Sequence, residues 1–192
     1  MFQLMHTIVP EGSSGLAKIV HDRPSSLQRI HGAIHGMPLE DRTYTRLLIK
    51  EDLVMTDADF EQRTNTEVVS ESHGDVLIVG LGIGMILVPI LKKREVNSVT
   101  VIEKERGVIR CVAPHFFPSA KLKIINADVW SWKPSTEARY DTIYFDIWPD
   151  ICTDYLDDMT KLHRRFRKYL RAGGWMGSWC RDYLRDMKRR SR

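Results

Sequence analysis

Cysteine is scarce and scattered. Cys111, Cys152 and Cys180 form neither paired nor metal-ligand spacings, so a disulfide framework and a cysteine zinc site are both excluded as the basis of the fold. Long apolar runs are also missing, and no stretch approaches the length of a membrane span. The first ten residues lack a basic leader, a long apolar core and a small-residue cleavage site, so we expect no secretory signal and a cytoplasmic protein. Internal repeats and low-complexity tracts are absent. His31 and His35 stand four apart, but no third ligand accompanies them, and no metal is expected.

What remains is an ordinary globular composition, 43% hydrophobic and 28% charged over 192 residues, enough for one substantial core. The net charge of +4 is uneven. Lys161 to Arg171 and Arg181 to Arg192 are rich in base, whereas Asp146, Asp150, Asp154, Asp157 and Asp158 lie just upstream. A basic face on a terminal helix is usually only solvated; nucleic acid stays open as a partner but is not favoured.

Two kinds of text follow one another along the chain. Ser25 and Ser26 suit the N-cap of a short helix through His35, with Gly32 and Gly36 weakening it and Pro38 just beyond. Tyr44 to Met55 is β-branched and apolar around Lys50-Glu51-Asp52, the pattern of a β-hairpin, and Gln62 to Ser72 suits a short helix. From Asp75 the pattern turns regular. Short apolar runs at Val76–Leu81, Val99–Glu103, Leu122–Asn126, Thr142–Asp146 and Trp175–Trp179 alternate with helical stretches at Met85–Lys93, Glu105–Ala113 and Ile151–Leu170. Gly173-Gly174 reads as the stop of the last of these helices. Alternation of this kind predicts an α/β fold: a Rossmann-like three-layer sandwich with a mainly parallel sheet over residues 73–192, preceded by a helix and β-hairpin appendage over 1–72.

The residues with the most chemistry sit at the ends of the predicted strands. Val76 to Val79 runs into Gly80-Leu81-Gly82-Ile83-Gly84 and then a helix, which allows a tight turn and a close backbone approach by a ligand. Glu103 ends the next strand about 20 residues on, the distance at which a carboxylate meets ribose hydroxyls. The alternate spacing of the three glycines is tighter than that of dinucleotide sites and favours S-adenosylmethionine. Asp128 lies just beyond the third run and Asp146 ends the fourth, where ligands gather in open α/β sheets. Read as residues alone, Asp128 also suits a turn, Asp146 or Asp150 a helix cap, and Trp148, like Trp130, Trp132, Trp175 and Trp179, a packing position.

From Asp75 to about Cys180, these motifs resemble the class I S-adenosylmethionine-dependent methyltransferase superfamily, and within it the spermidine synthase-like branch. Val76 to Gly84 resembles the first motif, with Ile78 where many methyltransferases carry an acid; Val99 to Glu103 followed by Val108-Ile109 resembles the second; Tyr140 to Asp150 resembles the fourth. The resemblance implies S-adenosylmethionine as cofactor, with Gly80, Leu81, Gly82 and Gly84 along its methionine and ribose, and Glu103 on the ribose hydroxyls beside Lys104. It further implies Asp128 on the adenine amino group, Val129 against the ring, and Asp146 with Trp148 near the sulfonium. Asp146 is then the candidate catalytic residue. Spermidine synthases resemble Asp-Ser-Ser-Asp-Pro where this chain has Asp146-Ile147-Trp148-Pro149, and the Asn/Asp-Pro-Pro-aromatic run of amino-methylating enzymes is missing. Met55 to Glu61 resembles the loop that folds over the cofactor in this branch, which adds Glu61 as a candidate.

The resemblance therefore implies methyl transfer to an unidentified acceptor, favouring a small molecule. Aminopropyl transfer to an amine bound by Asp146, Asp150 and Asp154 is the alternative, and a non-catalytic cofactor-binding homologue is another. Only about a dozen residues follow Trp179, so the sheet is expected to be shortened at its C-terminal side. An exposed sheet edge would favour a homo-oligomer.

Overall fold

The structure is a computed structural model that describes residues 2–35 and 38–191. Two sheets organise it. The first is antiparallel, in the order β1 (Gly12–Ser14), β2 (Ala17–Asp22), β3 (Tyr44–Ile49) and β4 (Asp52–Thr56). The second is wholly parallel and contains β5 (Gly74–Val79), β6 (Val96–Glu103), β7 (Leu122–Asn126), β8 (Tyr140–Phe145) and β9 (Leu170–Ser178), in the order β7-β6-β5-β8-β9. Helix α1 (Ser26–Ile34) interrupts the first sheet, and α2 (Asp59–Thr64) and α3 (Thr66–Glu71) lead to the second. Helices α4 (Leu87–Lys92), α5 (Arg106–Val112) and α6 (Leu156–Phe166) follow β5, β6 and β8, and α7 (Arg181–Arg190) follows β9.

The apolar run of β5 is buried on both faces, as a central parallel strand requires. Val76 and Ile78 enter one core with β6 Val99 and Val101, α4 Leu87 and Ile90, and α5 Val108 and Val112. Leu77 and Val79 enter the other, against Ile143 and Phe145 of β8 and Leu156, Met159, Leu162 and Phe166 of α6. Helix–sheet–helix layering is the Rossmann-like sandwich, and the sheet ends at β9. Helix α6 carries Asp157 and Asp158 in its first turn and His163, Arg164 and Arg165 in its last, the charge order its dipole favours.

The β3–β4 hairpin forms as expected, with Lys50 and Glu51 both at positive φ, the backbone of a tight turn matching strand twist. Ser25 caps α1 through a full capping box with Gln28. Gly36, read as weakening that helix, lies outside the described residues. Buried Asp57 ties the N-terminal segment to the hairpin by accepting from the N–H groups of Met5 (2.9 Å) and Thr45 (2.8 Å). The expected helix over 62–72 is instead two helices, broken at the buried Asn65, whose amide donates to the Glu61 carbonyl (3.0 Å).

Two further readings need correction. Residues 12–22 form a β-hairpin that was not expected; it packs on α5, where Gly107 leaves room for the Ser14 carbonyl. Gly173-Gly174 does not stop a helix. Helix α6 has already ended at Phe166, and the pair lies inside β9, where the register with β8 shifts and Gly174 is pressed against the Asp141 carbonyl.

Candidate functional site

The strand order reverses at β5, whose neighbours are β6 and β8, and open α/β sheets place ligands outside the carboxyl ends of strands at such a point. A cavity of about 320 Å³ lies there. Gly80, Leu81, Gly82, Glu103, Lys104, Asp128, Val129, Asp146 and Trp148 all border it. Gly84 does not: it lies beneath the Phe116 ring and Val112, where its missing side chain lets α5 approach. Asp150 and Asp154 also stay outside, exposed to solvent; besides Glu103 and Asp128, the acids that join Asp146 at the cavity are Glu61, Glu105 and Asp158.

The first turn is built for close approach. Gly80 and Gly82 both hold positive φ; a side chain on Gly80 would meet the Asp146 carbonyl, and one on Gly82 would meet the Met55 sulfur. Met55 comes from β4, and with Leu47, Ile49 and Val54 it roofs the cavity. Glu103 is 8% exposed. Its Oε2 accepts from the Leu81 N–H (2.8 Å) and its Oε1 from the Glu105 N–H (2.7 Å). Burial raises its carboxyl above the ordinary value, and these two N–H groups pull it back. A carboxylate offers about four acceptor positions, so two remain for hydroxyl donors.

Asp128 accepts from the Trp130 N–H through Oδ1 (2.9 Å), an Asx turn that fixes the loop after β7. The same loop is clamped from below. Arg165 of α6 donates to the carbonyls of Val129 and Trp130, both at 2.8 Å, and to that of Trp132. Sequence reasoning missed this clamp, since a lysine- and arginine-rich helix reads first as a solvated face.

Two carboxyls are strongly perturbed. Burial pushes Asp146 up to about 7. Burial and then the charge of Asp146 push Glu61 up to about 8. Both border the cavity, so the acid–base groups available near neutrality sit together. Cys180, close by, is pushed up to about 12 by burial and by the charges of Asp146 and Glu61, which leaves it a thiol and not a nucleophile. Trp148 is buried against Phe145 and Leu156 and forms one wall. Trp179 is buried too, its Nε1–H donating to Thr64 Oγ1 (2.9 Å), while the Tyr144 hydroxyl donates to Asn65 Oδ1 (3.0 Å). These two bonds dock α2 and α3, and with them Glu61, onto the ends of β8 and β9.

No protein-family model matches the chain. Over 119 residues it is 32% identical to Polyamine aminopropyltransferase 1 of Streptomyces coelicolor, a stretch that is 55% of this chain and 22% of that protein. The spermidine synthase of Thermotoga maritima superposes with a TM-score of 0.53 at 16% identity, covering 85% of this chain and 47% of that one. A protein assigned as a methyltransferase, in complex with SAH, superposes with a TM-score of 0.52 at 17% identity, over 71% of this chain and 39% of that one. The fold is thus the Rossmann-like fold shared by class I methyltransferases and spermidine synthase, and the chain resembles that superfamily in both sequence and architecture. It spans less than half the length of each of these three relatives. Among the described residues, no helix is long and apolar enough to cross a membrane.

Proposed function

We propose that this chain is an S-adenosylmethionine-dependent transferase that passes the sulfonium methyl to an acceptor. The observation that carries the reading is the Glu103 carboxylate, buried beside Gly80 and Gly82 with each oxygen tied by one backbone N–H and two acceptor positions left for a vicinal diol. The residues present fit such a cofactor. Glu103 would take the ribose, Asp128 the adenine amine, Val129 the adenine ring, and Gly80 to Gly82 the methionine side. Bound there, the cofactor supplies an electrophilic methyl on a cationic sulfur. The protein's own contribution is to orient the acceptor, exclude water beneath the Met55 roof, and receive a proton. Asp146, lifted to about 7, is suited to take that proton from the attacking atom at neutral pH.

A second reading, aminopropyl transfer from the decarboxylated cofactor, is favoured by the match to a polyamine aminopropyltransferase and by the two acids, Glu61 and Asp146, at one cavity. Calorimetric titration with S-adenosylmethionine, its decarboxylated form and NAD separates the readings. Tight binding of the first, lost in Glu103→Ala and Asp128→Ala, is expected. Preference for the decarboxylated form would promote aminopropyl transfer, and binding of neither sulfonium compound by folded protein would overturn both.

A further inference from the structure

A second cavity, of about 800 Å³, lies between α1 and the β3–β4 hairpin, on the face of that hairpin opposite the first. Its walls are apolar. Leu27, Ile30 and Ile34 stand at i, i+3 and i+7 on α1, the stripe a helix normally buries, yet they are 80%, 57% and 74% exposed; Leu53 of β4 opposite them is 52% exposed. Nine residues are too few for a helix that is stable without tertiary contacts. The groove therefore calls for an occupant, and its inner end says which kind. Glu61 borders this cavity and the cofactor cavity alike. Among the described residues Arg46 is the groove's one guanidinium or ammonium group, and it is paired with Asp22 at 3.0 Å, whereas Glu61 makes no ion pair.

We propose that this groove is the acceptor site, and that it takes an amine with an apolar body, the body lying between α1 and Leu53 and the nitrogen reaching Glu61 at the junction with the cofactor cavity. The inference rests on the transferase reading above. It deepens that reading by naming a substrate class. Burial of Glu61 next to Asp146 disfavours its charged form, and an ammonium group arriving there relieves that cost.

Linear primary alkylamines, butylamine to octylamine, test this by calorimetry on the full chain with and without S-adenosylhomocysteine. Affinity is expected to rise about fourfold per added methylene, from about 0.8 kcal/mol for each buried CH₂. The rise should flatten in Leu53→Ser and Ile30→Ser, whose side chains are outside the cofactor cavity, while S-adenosylhomocysteine still binds. Octylamine should outbind octanol in the wild type and lose that advantage in Glu61→Gln. No dependence on chain length overturns the proposal. So do Leu53→Ser and Ile30→Ser variants that convert an oligomer to a monomer in light scattering without changing alkylamine binding. A chain-length dependence in protein that binds no S-adenosylhomocysteine would keep the groove and sink the transferase reading instead.

Discussion

Glu61 and Asp146 make the candidate site sensitive to pH in a direction that can be worked out. Their ordinary values are 4.5 and 3.8, and burial lifts them to about 8 and about 7. The folded protein therefore holds protons that the unfolded chain releases. The stability these protonated groups contribute is whole below about 4 and is lost as the pH rises through about 7 and 8. Glu61→Gln, which cannot ionise, should be more stable than the wild type at about pH 9, and the difference should shrink by about pH 5; a difference that stays level in urea titrations at both would contradict the assignment. Arg165 permits a second test. Arg165→Gln loosens the carbonyls of the loop that begins at Asp128, and the expected result is about a tenfold weaker dissociation constant for S-adenosylhomocysteine, with α6 still formed by circular dichroism. Gly80, Gly82, Glu103 and Asp146 were legible in the sequence because each stands at the carboxyl end of a predicted strand, a local signal, whereas Asp128, two residues beyond its strand, stood out only through resemblance. Glu61 and the segment from Met55 that leads to it were visible only through resemblance, and Arg165 not at all, since their partners lie far away in the chain.

Among the elements, the parallel strands and their helices could be read from alternating apolar runs, because strands buried on both faces leave uninterrupted text. The β1–β2 hairpin could not. β1 has three residues, Gly12, Ser13 and Ser14, with no apolar side chain among them; pairing with β2 makes it a strand, and the hairpin so formed packs on α5. Gly173-Gly174 misled for the reverse reason: a glycine pair signals a break, but here the break is a bulge in an edge strand. That packing on α5 yields a prediction whose sign is informative. Alanine in place of a helical glycine ordinarily stabilises by about 1 kcal/mol. At Gly107 the new methyl would run into the Ser14 carbonyl and sit 3.0 Å from the Ala17 Cβ. Gly107→Ala should therefore lower stability by about 1–3 kcal/mol in chemical denaturation, and a stabilised variant would mean that the hairpin does not rest there.

For the molecule as a whole, ligand binding and folding are linked. At S-adenosylhomocysteine near 100 times its dissociation constant, the folded state gains about 2.7 kcal/mol. For a chain of this size that corresponds to a rise of about 5–10 °C in melting temperature. Differential scanning fluorimetry should show the rise in the wild type and none in Glu103→Ala. Equal shifts in both would move the cofactor away from Glu103.

The four-stranded sheet is a shared wall between two rooms. Leu47 and Met55 look into the one behind Gly82, Arg46 and Leu53 into the one beneath α1. Strand side chains alternate, so a slip of one residue in β3 would exchange the furnishings of both rooms at once. An evolving or engineered lineage could not remodel either through this wall without disturbing the other. Freedom to vary what is accepted, while keeping what is donated, lies with α1, which borders only the second room.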